Sequence, residues 1–391
     1  MSRQSGKKVL HLFGAFDPDI ESARAASAIN ALGRHVRNAI VSQDREARGA
    51  AHLLGTGIAV SWPKFPSLEG RPWPGRLKGL AAAMSGHDLI CTYGWGAVDA
   101  ALAHTLFADV FKLAPLVHHE FAPDPAELAK GGSFGRRSYR RIAFGRSAAI
   151  IVGSPQAERL ALDIWQQPRT RVQLIPEGVD TRAFAEMPPR DVLPSFIKRK
   201  GEGWIGTLAD GIDRDGLAVL VGALRALADE WQVVVLGEID ASLREDALTL
   251  AEEQQVDHRL HFTGKVNVAG VMGLFDMLAL SRLQENAARA VAGAMSASVP
   301  LVMPRGGETG AMPSSDNGQF LFGTSDEDVG EAMLDRILVL CGDPTSRKRA
   351  GKANRARARE HYDAQKLMAR QLALYRSLMG TKGAVEAEAK T

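Results

Sequence analysis

The stretch DMLALSRLQENAARAVAGAMSASVPLVMPRG, residues 276–306, decides the fold of this protein. It begins with an apolar strand, continues with an alanine-rich helix over 287–298 and ends in a second apolar strand. Both strands are continuously apolar rather than alternating, which is typical of a parallel sheet covered on both faces. The stretch therefore predicts a βαβ unit of a doubly wound α/β domain.

The same alternation of strands and helices fills the 391-residue chain on both sides of one proline-containing stretch. That stretch, 186–199, shows no clear periodicity, so we interpret it as a linker. Two Rossmann-like domains follow from this division, and ligands of such sheets bind beyond the carboxyl ends of the strands, in a cleft. The predicted organisation is a first domain over 1–185, the linker, a second domain over 200–362, a C-terminal helix over 363–380 and a frayed tail over 381–391.

The composition excludes several classes of protein. Lysine plus arginine exceed aspartate plus glutamate by three (48 minus 45), which is too small an excess to predict a nucleic-acid binder. The two cysteines, Cys91 and Cys341, lie in apolar stretches and are expected to be buried thiols in a reducing compartment. No apolar run reaches the ~18 residues of a membrane-spanning helix, and we expect no secretory leader. A cytoplasmic protein is predicted.

The usual cofactor motifs are missing from the sequence. The turn after the first strand reads FGAFDPDIES, residues 13–22, and has one glycine where a dinucleotide site requires three. The sequence contains neither a Walker A motif nor a G-x-S-x-G motif. These observations argue against a dehydrogenase, a P-loop ATPase and an α/β-hydrolase.

Seven segments in a consistent order resemble the retaining GT-B glycosyltransferases of family 4, the glycosyl transferases group 1. Two of them are VQLIPEGVDTRAF, residues 172–184, and FDMLALSRLQENAARAVAGAMSASVPLV, residues 275–302. The resemblance covers nearly the whole chain. It implies the GT-B fold, in which two Rossmann-like domains face a cleft and the last helix crosses back to the first domain.

The resemblance also implies a reaction. Such enzymes move a hexosyl-type sugar from a nucleotide-sugar to an acceptor hydroxyl with retention, often in the assembly of cell-surface polysaccharide or glycolipid. The expected partners are therefore a nucleotide-sugar donor and a glycan or lipid-linked acceptor. Arginine, lysine and helix N-termini hold the diphosphate in place of a metal, so no metal and no cofactor are expected. Peripheral binding at the inner face of the membrane is the corresponding location.

The resemblance assigns candidate site residues. Adjacent residues of a strand point in opposite directions, so one of His118 and His119 faces the cleft; the register favours His119, and the alternative is a core histidine. Glu285 is the second catalytic candidate and alternatively serves a helix N-terminus. For Tyr93 and Trp95, the alternative is packing beside glycine turns. Predicted for the donor are Gly206, Thr207, Arg214, Gly237, Asn286, Ala287 and Glu308, and predicted for the acceptor side are Tyr93, Trp95 and Glu120.

The sequence departs from the family's pattern mostly at the donor site. Asp19 and Ile20 replace a pair of glycines that lets backbone amides approach the diphosphate. Thr207 and Asp215 stand where the family has an arginine and a lysine, and glycines at 293 and 310 replace two glutamates. Loss of a carboxylate that binds the ribose costs about 1.5–3 kcal/mol. Arg214 and Glu308 are the nearby residues that could compensate.

These departures leave more than one function open. The first hypothesis is an active glycosyltransferase, the second a catalytically inactive homologue that acts as a partner or scaffold, and the third a binding module with an altered ligand. A basic run is similarly ambiguous, since it is either a face that binds anionic membrane or an ordinary solvated helix face. The run consists of Arg136, Arg137, Arg140, Arg141 and Arg146.

Overall fold

The structure is a computed structural model that describes residues 6–44, 48–124, 127, 132–193, 195–283, 287–307, 309–323 and 329–380. These residues form two compact units. The first unit extends to Pro176 and takes in the chain again from Leu367. The second unit comprises Glu177 to Lys366. The chain thus passes from one unit to the other before the predicted boundary at 185.

The first unit is built on a parallel sheet. Its strands are β1 Lys8–Phe13, β2 Arg37–Ser42, β3 Val60–Ser61, β4 Leu89–Tyr93, β5 Leu116–Glu120, β6 Ala149–Val152 and β7 Val172–Leu174. They lie in the order β3-β2-β1-β4-β5-β6-β7, and each pairs in parallel with its neighbours. The central strands are buried on both faces, which explains why their sequences do not alternate between apolar and polar residues.

Helices cover both faces of this sheet. They are α1 Ile20–Leu32, α2 Pro74–Met84, α3 Val98–Phe111, α4 Phe134–Ala143 and α5 Pro155–Arg159. Several begin at a residue whose side chain caps the helix: the Asp19 carboxylate accepts the Ser22 N–H at 2.7 Å, and the Ser154 hydroxyl accepts the Ala157 N–H at 3.1 Å. Asp19 therefore has a structural role at the start of α1.

The second unit repeats the plan with a second parallel sheet. Its strands are β8 Gly203–Leu208, β9 Trp231–Leu236, β10 Leu260–Phe262, β11 Met277–Ala279, β12 Leu301–Pro304 and β13 Leu321–Phe322, in the order β10-β9-β8-β11-β12-β13. Its helices are α6 Arg214–Ala226, α7 Ala241–Glu253, α8 Ala287–Ser296, α9 Val329–Gly342 and α10 Pro344–His361. Two Rossmann-like domains, the predicted fold class, are confirmed.

The last helix, α11 Ala364–Gly380, joins the first unit from Leu367 onwards. Its apolar residues pack into the cluster that also contains α1 residues. The Tyr375 hydroxyl lies 2.6 Å from His119 Nε2, and the Lys7 ammonium donates to the Met379 carbonyl at 3.2 Å. The C-terminal helix is thus part of the core of the first unit.

Three local details differ from the sequence interpretation. The sequence VAGVMGLF, residues 268–275, predicts a short helix, but the structure has two 3-10 turns there, Val268–Gly270 and Met272–Leu274. The sequence GQFLFG, residues 318–323, predicts a strand, but only the two residues of β13 form one, because the Asn317 side chain accepts from the Leu301 N–H and donates to the Leu301 C=O, at 2.8 Å each. The predicted linker packs on the second unit, since Leu193 is buried and the Lys198 ammonium lies 2.7 Å from the Asp276 carboxylate.

Candidate functional site

The turn between β8 and α6 is the best-defined part of the predicted donor site. Asp213 caps α6: its carboxylate accepts the Gly216 N–H at 2.9 Å and the Ser281 hydroxyl at 2.8 Å. Ser281 follows β11, so the helix start is fixed to the end of the adjacent strand. A Cβ on Gly216 would lie 2.4 Å from the Ser281 hydroxyl oxygen, so the packing requires glycine there. Sequence reasoning missed Asp213, although an aspartate just before a helix is an N-cap signal.

Arg214 is the first residue of α6, and its side chain is mostly exposed. Its guanidinium forms an ion pair with the Asp246 carboxylate on α7. Both residues line a groove of about 330 Å³ between the two helices. A phosphate group bound by Arg214 would therefore either displace the Asp246 carboxylate from the guanidinium or share the guanidinium with it.

Gly206 and Thr207 lie inside β8, and both residues are buried. A Cβ on Gly206 would lie 2.7 Å from two ring carbons of Phe275, so this glycine is needed for packing. The Thr207 hydroxyl is buried and has no hydrogen-bond partner among the residues that the structure describes. In this conformation neither residue is accessible to a donor.

Gly237 follows β9 with a φ of +100°, a conformation that favours glycine. Its N–H donates to the Gly264 carbonyl at 3.1 Å. That bond pairs the two loops and occupies the Gly237 N–H.

The start of α8 holds the other donor candidates. Ala287 is the first residue of this helix and is buried. Glu285, Asn286 and Glu308 lie outside the described residues. Their predicted roles, including that of Glu285 in catalysis, stay predictions.

The two glycines that replace family glutamates are closely packed. A Cβ on Gly293 would lie 2.9 Å from two ring carbons of Phe184. A Cβ on Gly310 would lie 2.2 Å from the Arg305 carbonyl oxygen. A glutamate fits neither position without movement of its neighbours. The predicted donor site therefore lacks these two carboxylates for reasons of packing as well as sequence.

In the first unit, the predicted residues at the carboxyl ends of β4 and β5 belong to a buried polar network. The Tyr93 hydroxyl lies 3.0 Å from His11 Nδ1, and His11 Nε2 lies 3.2 Å from the Asn38 amide oxygen. The Tyr93 ring stacks on the His119 ring with centroids 4.5 Å apart. Tyr93 and His119 are both buried, so neither offers surface to a ligand in this structure.

Both ring nitrogens of His119 have partners. Nδ1 lies 3.2 Å from the Thr92 carbonyl, which can only accept, so Nδ1 carries the proton. Nε2 then accepts from the Tyr375 hydroxyl. Burial, together with nearby His118, lowers the pKa of His119 well below 6.5, so the ring is neutral. Contact with a sugar would require Tyr375 to give up this hydrogen bond; the catalytic role of His119 stays a prediction.

Glu120 lies in a second buried cluster. Its carboxylate pairs with the Arg140 guanidinium and lies 3.4 Å from His118 Nε2. Arg140 also lies 3.1 Å from Glu127. Burial opposes ionisation of Glu120, but the Arg140 charge and the His118 hydrogen bond outweigh it and lower the pKa to about 2. Glu120 is therefore an ionised partner of Arg140.

Trp95 is the exposed member of the acceptor-side residues, at 42%. The Arg136 guanidinium lies 4.2 Å above its ring, and Arg136 also bonds Asp124 at 2.9 Å. One face of Trp95 is thus covered by an arginine from α4. The other acceptor-side residues, Tyr93 and Glu120, are buried.

The basic run is only in part a solvated face, since Arg141 and Arg146 are exposed whereas Arg140 is buried. Arg136 and Arg140 pair with acidic side chains on the same unit. Arg146 pairs with Asp109. The fixed carboxylates neutralise much of the charge that membrane binding would use.

Glu21, in the first turn of α1, is a further candidate site residue, which the sequence analysis did not identify. Burial raises its pKa well above 4.5, and the nearby carboxylates of Glu120 and Asp19 raise it further. A Cβ on Gly94 would lie 2.4 Å from its carboxyl oxygen, so Glu21 lies against the turn that follows β4. Its position in the first turn after β1 was the available signal.

Comparison with known proteins finds a family match in the second unit. Residues 200–343 match the family model described as glycosyl transferases group 1. No curated protein sequence matches the chain. The match covers most of the second unit.

Solved structures resemble the whole chain. Anabaena HepE, solved in complex with UDP, has a TM-score of 0.66 at 15% identity, over 95% of this chain and 100% of its own. A glycosyltransferase from Rickettsia africae has a TM-score of 0.63 at 12% identity, over 95% and 98%. The lipopolysaccharide outer core galactosyltransferase WaaB has a TM-score of 0.61 at 11% identity, over 95% and 99%. The GT-B fold is thereby shown.

Proposed function

We propose that this protein is a retaining glycosyltransferase of the family 4 type, which moves a hexosyl-type sugar from a nucleotide-sugar to an acceptor hydroxyl. The match of residues 200–343 to glycosyl transferases group 1 carries the proposal. The GT-B fold of the whole chain supports it. UDP in the complex of the structural neighbour HepE is consistent with a nucleoside diphosphate donor.

The second unit offers two helix N-termini to the diphosphate. Helix α6 begins beside the carboxyl end of β8, where the Asp213 carboxylate accepts one of its first N–H groups, and α8 begins after β11 at the same edge of the sheet. Arg214 supplies the cation at the first of them. Glu285, two positions before Ala287 in the sequence, is proposed to contact the donor sugar. This arrangement neutralises the leaving group without a metal.

The acceptor is proposed to be a glycan or a lipid-linked glycan of the cell surface, used at the inner face of the membrane. The structural neighbour WaaB, a lipopolysaccharide outer core galactosyltransferase, supports this class of acceptor. Among the described helices, none combines the length and the apolar character that crossing a bilayer requires. Phe134 and Ile142 on α4 are exposed apolar side chains beside the basic run, and they are the proposed membrane contact.

The second candidate function is a catalytically inactive homologue that acts as a partner or scaffold. The packing of Gly293 against Phe184 favours it, because no carboxylate for the nucleotide ribose fits there without rearrangement. The ion pair between Arg214 and Asp246 favours it as well, since a donor phosphate competes with a fixed carboxylate.

Calorimetric titration with UDP and GDP separates the two functions. An active enzyme should bind one of them with a dissociation constant near 1 µM, about −8 kcal/mol, whereas an inactive homologue should not bind more tightly than about 1 mM. Arg214→Ala should weaken binding by about tenfold or more, since a charge-assisted hydrogen bond is lost. Arg225→Ala, an exposed arginine at the other end of α6, is the matched control.

Sugar transfer itself tests Glu285. Glu285→Ala should abolish transfer and leave the melting temperature nearly unchanged. Micromolar nucleotide binding by the wild type contradicts the inactive homologue. Binding that stays millimolar, with no transfer from any nucleotide-sugar, contradicts the enzyme.

A further inference from the structure

A cavity of about 350 Å³ lies in the first unit beyond the carboxyl end of β2. The end of β2, from Ile40 to Ser42, forms its floor, and the segment from Trp62 to Ser67 forms its wall. Ligands of parallel α/β sheets bind at this edge, and the volume falls within the range of small-molecule sites, ~300–1,000 Å³. None of the residues predicted for the donor or the acceptor lines it.

The wall of this cavity is held in place from several sides. The Gln43 side-chain oxygen accepts the Leu68 N–H at 2.5 Å, and the Arg76 guanidinium donates to the Ser67 carbonyl at 3.1 Å. The Trp62 ring packs edge-to-face on Phe16 with centroids 5.7 Å apart. Two prolines in the wall fix their own φ angles. The cavity is therefore formed before any ligand binds, which lowers the entropic cost of binding.

The charge of the lining has one sign. Arg48 and Lys64 line the cavity, and its lining contains no aspartate or glutamate among the described residues. The Arg48 guanidinium lies 4.6 Å above the Trp62 ring. Stacking on an aromatic ring fixes the plane of the guanidinium and leaves its N–H edge available for a planar or tetrahedral oxyanion.

We propose that this cavity binds a saccharide that carries a phosphate or a carboxylate group. Arg48 and Lys64 bind the anion. The half-buried Phe65 ring and the prolines offer an apolar surface to the C–H face of the sugar, while the side-chain NH2 group of Gln43 offers a donor to its hydroxyls. The proposal assigns a ligand that is not the nucleotide donor, and it goes beyond the proposed function.

Calorimetric titration of the full chain tests the proposal with four probes: glucose 6-phosphate, glucuronate, glucose and inorganic phosphate. At least one of the two sugar anions should bind, and glucose and inorganic phosphate should bind about tenfold more weakly or not at all. The stronger of the two sugar anions identifies the anionic group. Lys64→Ala and Arg48→Ala should each weaken binding of that probe by about tenfold or more. Lys78→Ala, an exposed lysine on α2 outside the cavity, is the matched control and should leave binding unchanged.

Three results overturn the proposal. The first is no binding of either sugar anion. The second is binding of inorganic phosphate as tightly as glucose 6-phosphate, which denotes a site for the oxyanion alone. The third is an equal loss in Lys78→Ala and Lys64→Ala, which denotes a general effect of charge. The assay contains no nucleotide, so its failure leaves the UDP and GDP titration unaffected, and failure of that titration leaves this proposal standing.

Discussion

The first unit should lose stability as the pH falls from 7 to 4, and His11 should account for a defined part of the loss. Burial lowers the pKa of His11 from 6.5 to about 4, against a smaller opposing effect of the Asn38 hydrogen bond. Between these two pH values the unfolded chain binds a proton at His11 and the folded chain does not, so acid favours unfolding. The two pKa values differ by about 2.5, which at ~1.36 kcal/mol for each pKa unit gives ~3 kcal/mol. This stability is fully present above pH 6.5 and is lost progressively down to pH 4.

The variant His11→Gln removes the titrating group and isolates this contribution. At pH 7 it should cost about 1–3 kcal/mol, because the buried Tyr93 and Asn38 side chains lose their partner. At pH 4 the wild type should have lost ~3 kcal/mol more than the variant. Urea-dependent hydrogen exchange of β1 and β4 peptides measures opening of this unit alone. His35→Gln, at an exposed position, is the control and should follow the wild type. Equal pH dependence in His11→Gln and the wild type would refute the reasoning.

Two further substitutions test the packing of the predicted site residues. Arg140→Met should destabilise the first unit by about 3–5 kcal/mol in urea unfolding, because the buried Glu120 and Glu127 carboxylates lose their cation. The control Arg141→Met, at the exposed neighbouring position, should cost less than ~0.5 kcal/mol. Equal effects of the two substitutions contradict the buried cluster. Gly206→Ala should cost about 1–3 kcal/mol in the second unit through overpacking against Phe275, whereas Gly222→Ala, with open space around it on α6, should stabilise by up to ~1 kcal/mol. A neutral Gly206→Ala contradicts the close packing.

The sequence predicts the fold well because the fold depends on local patterns. The continuously apolar strands of 276–306 need two covered faces, and a parallel sheet is the arrangement that provides them. Helix starts are equally local, as the caps Asp19 and Ser154 show. The pattern fails for β13, where the Asn317 side chain takes the hydrogen bonds of Leu301 that a longer strand would make. A side chain that makes the hydrogen bonds of a neighbouring strand produces no periodic pattern in the sequence.

The candidate site is less predictable from the sequence, because the burial of its side chains depends on residues that are distant in the sequence. His119 lies at the end of a strand, where the register predicts exposure to a ligand. Its Nε2 is covered by Tyr375, 256 residues away, on a helix that packs on this unit. Glu120 is neutralised by Arg140 in the same way, 20 residues away. No spacing within β5 indicates either partner.

Local contacts within this chain explain several of the departures from the family pattern. Asp19 caps α1, Gly293 makes room for Phe184, and Gly310 lies against the Arg305 carbonyl, so these three unusual residues have structural partners in this chain. A site that had merely drifted would show vacant positions where the family's carboxylates fit. Here the space is filled, and recovery of the family's residues requires changes in their neighbours as well. Donor binding by the proposed enzyme therefore requires groups other than the family's ribose glutamate, and Arg214 is the cation that we propose for the diphosphate.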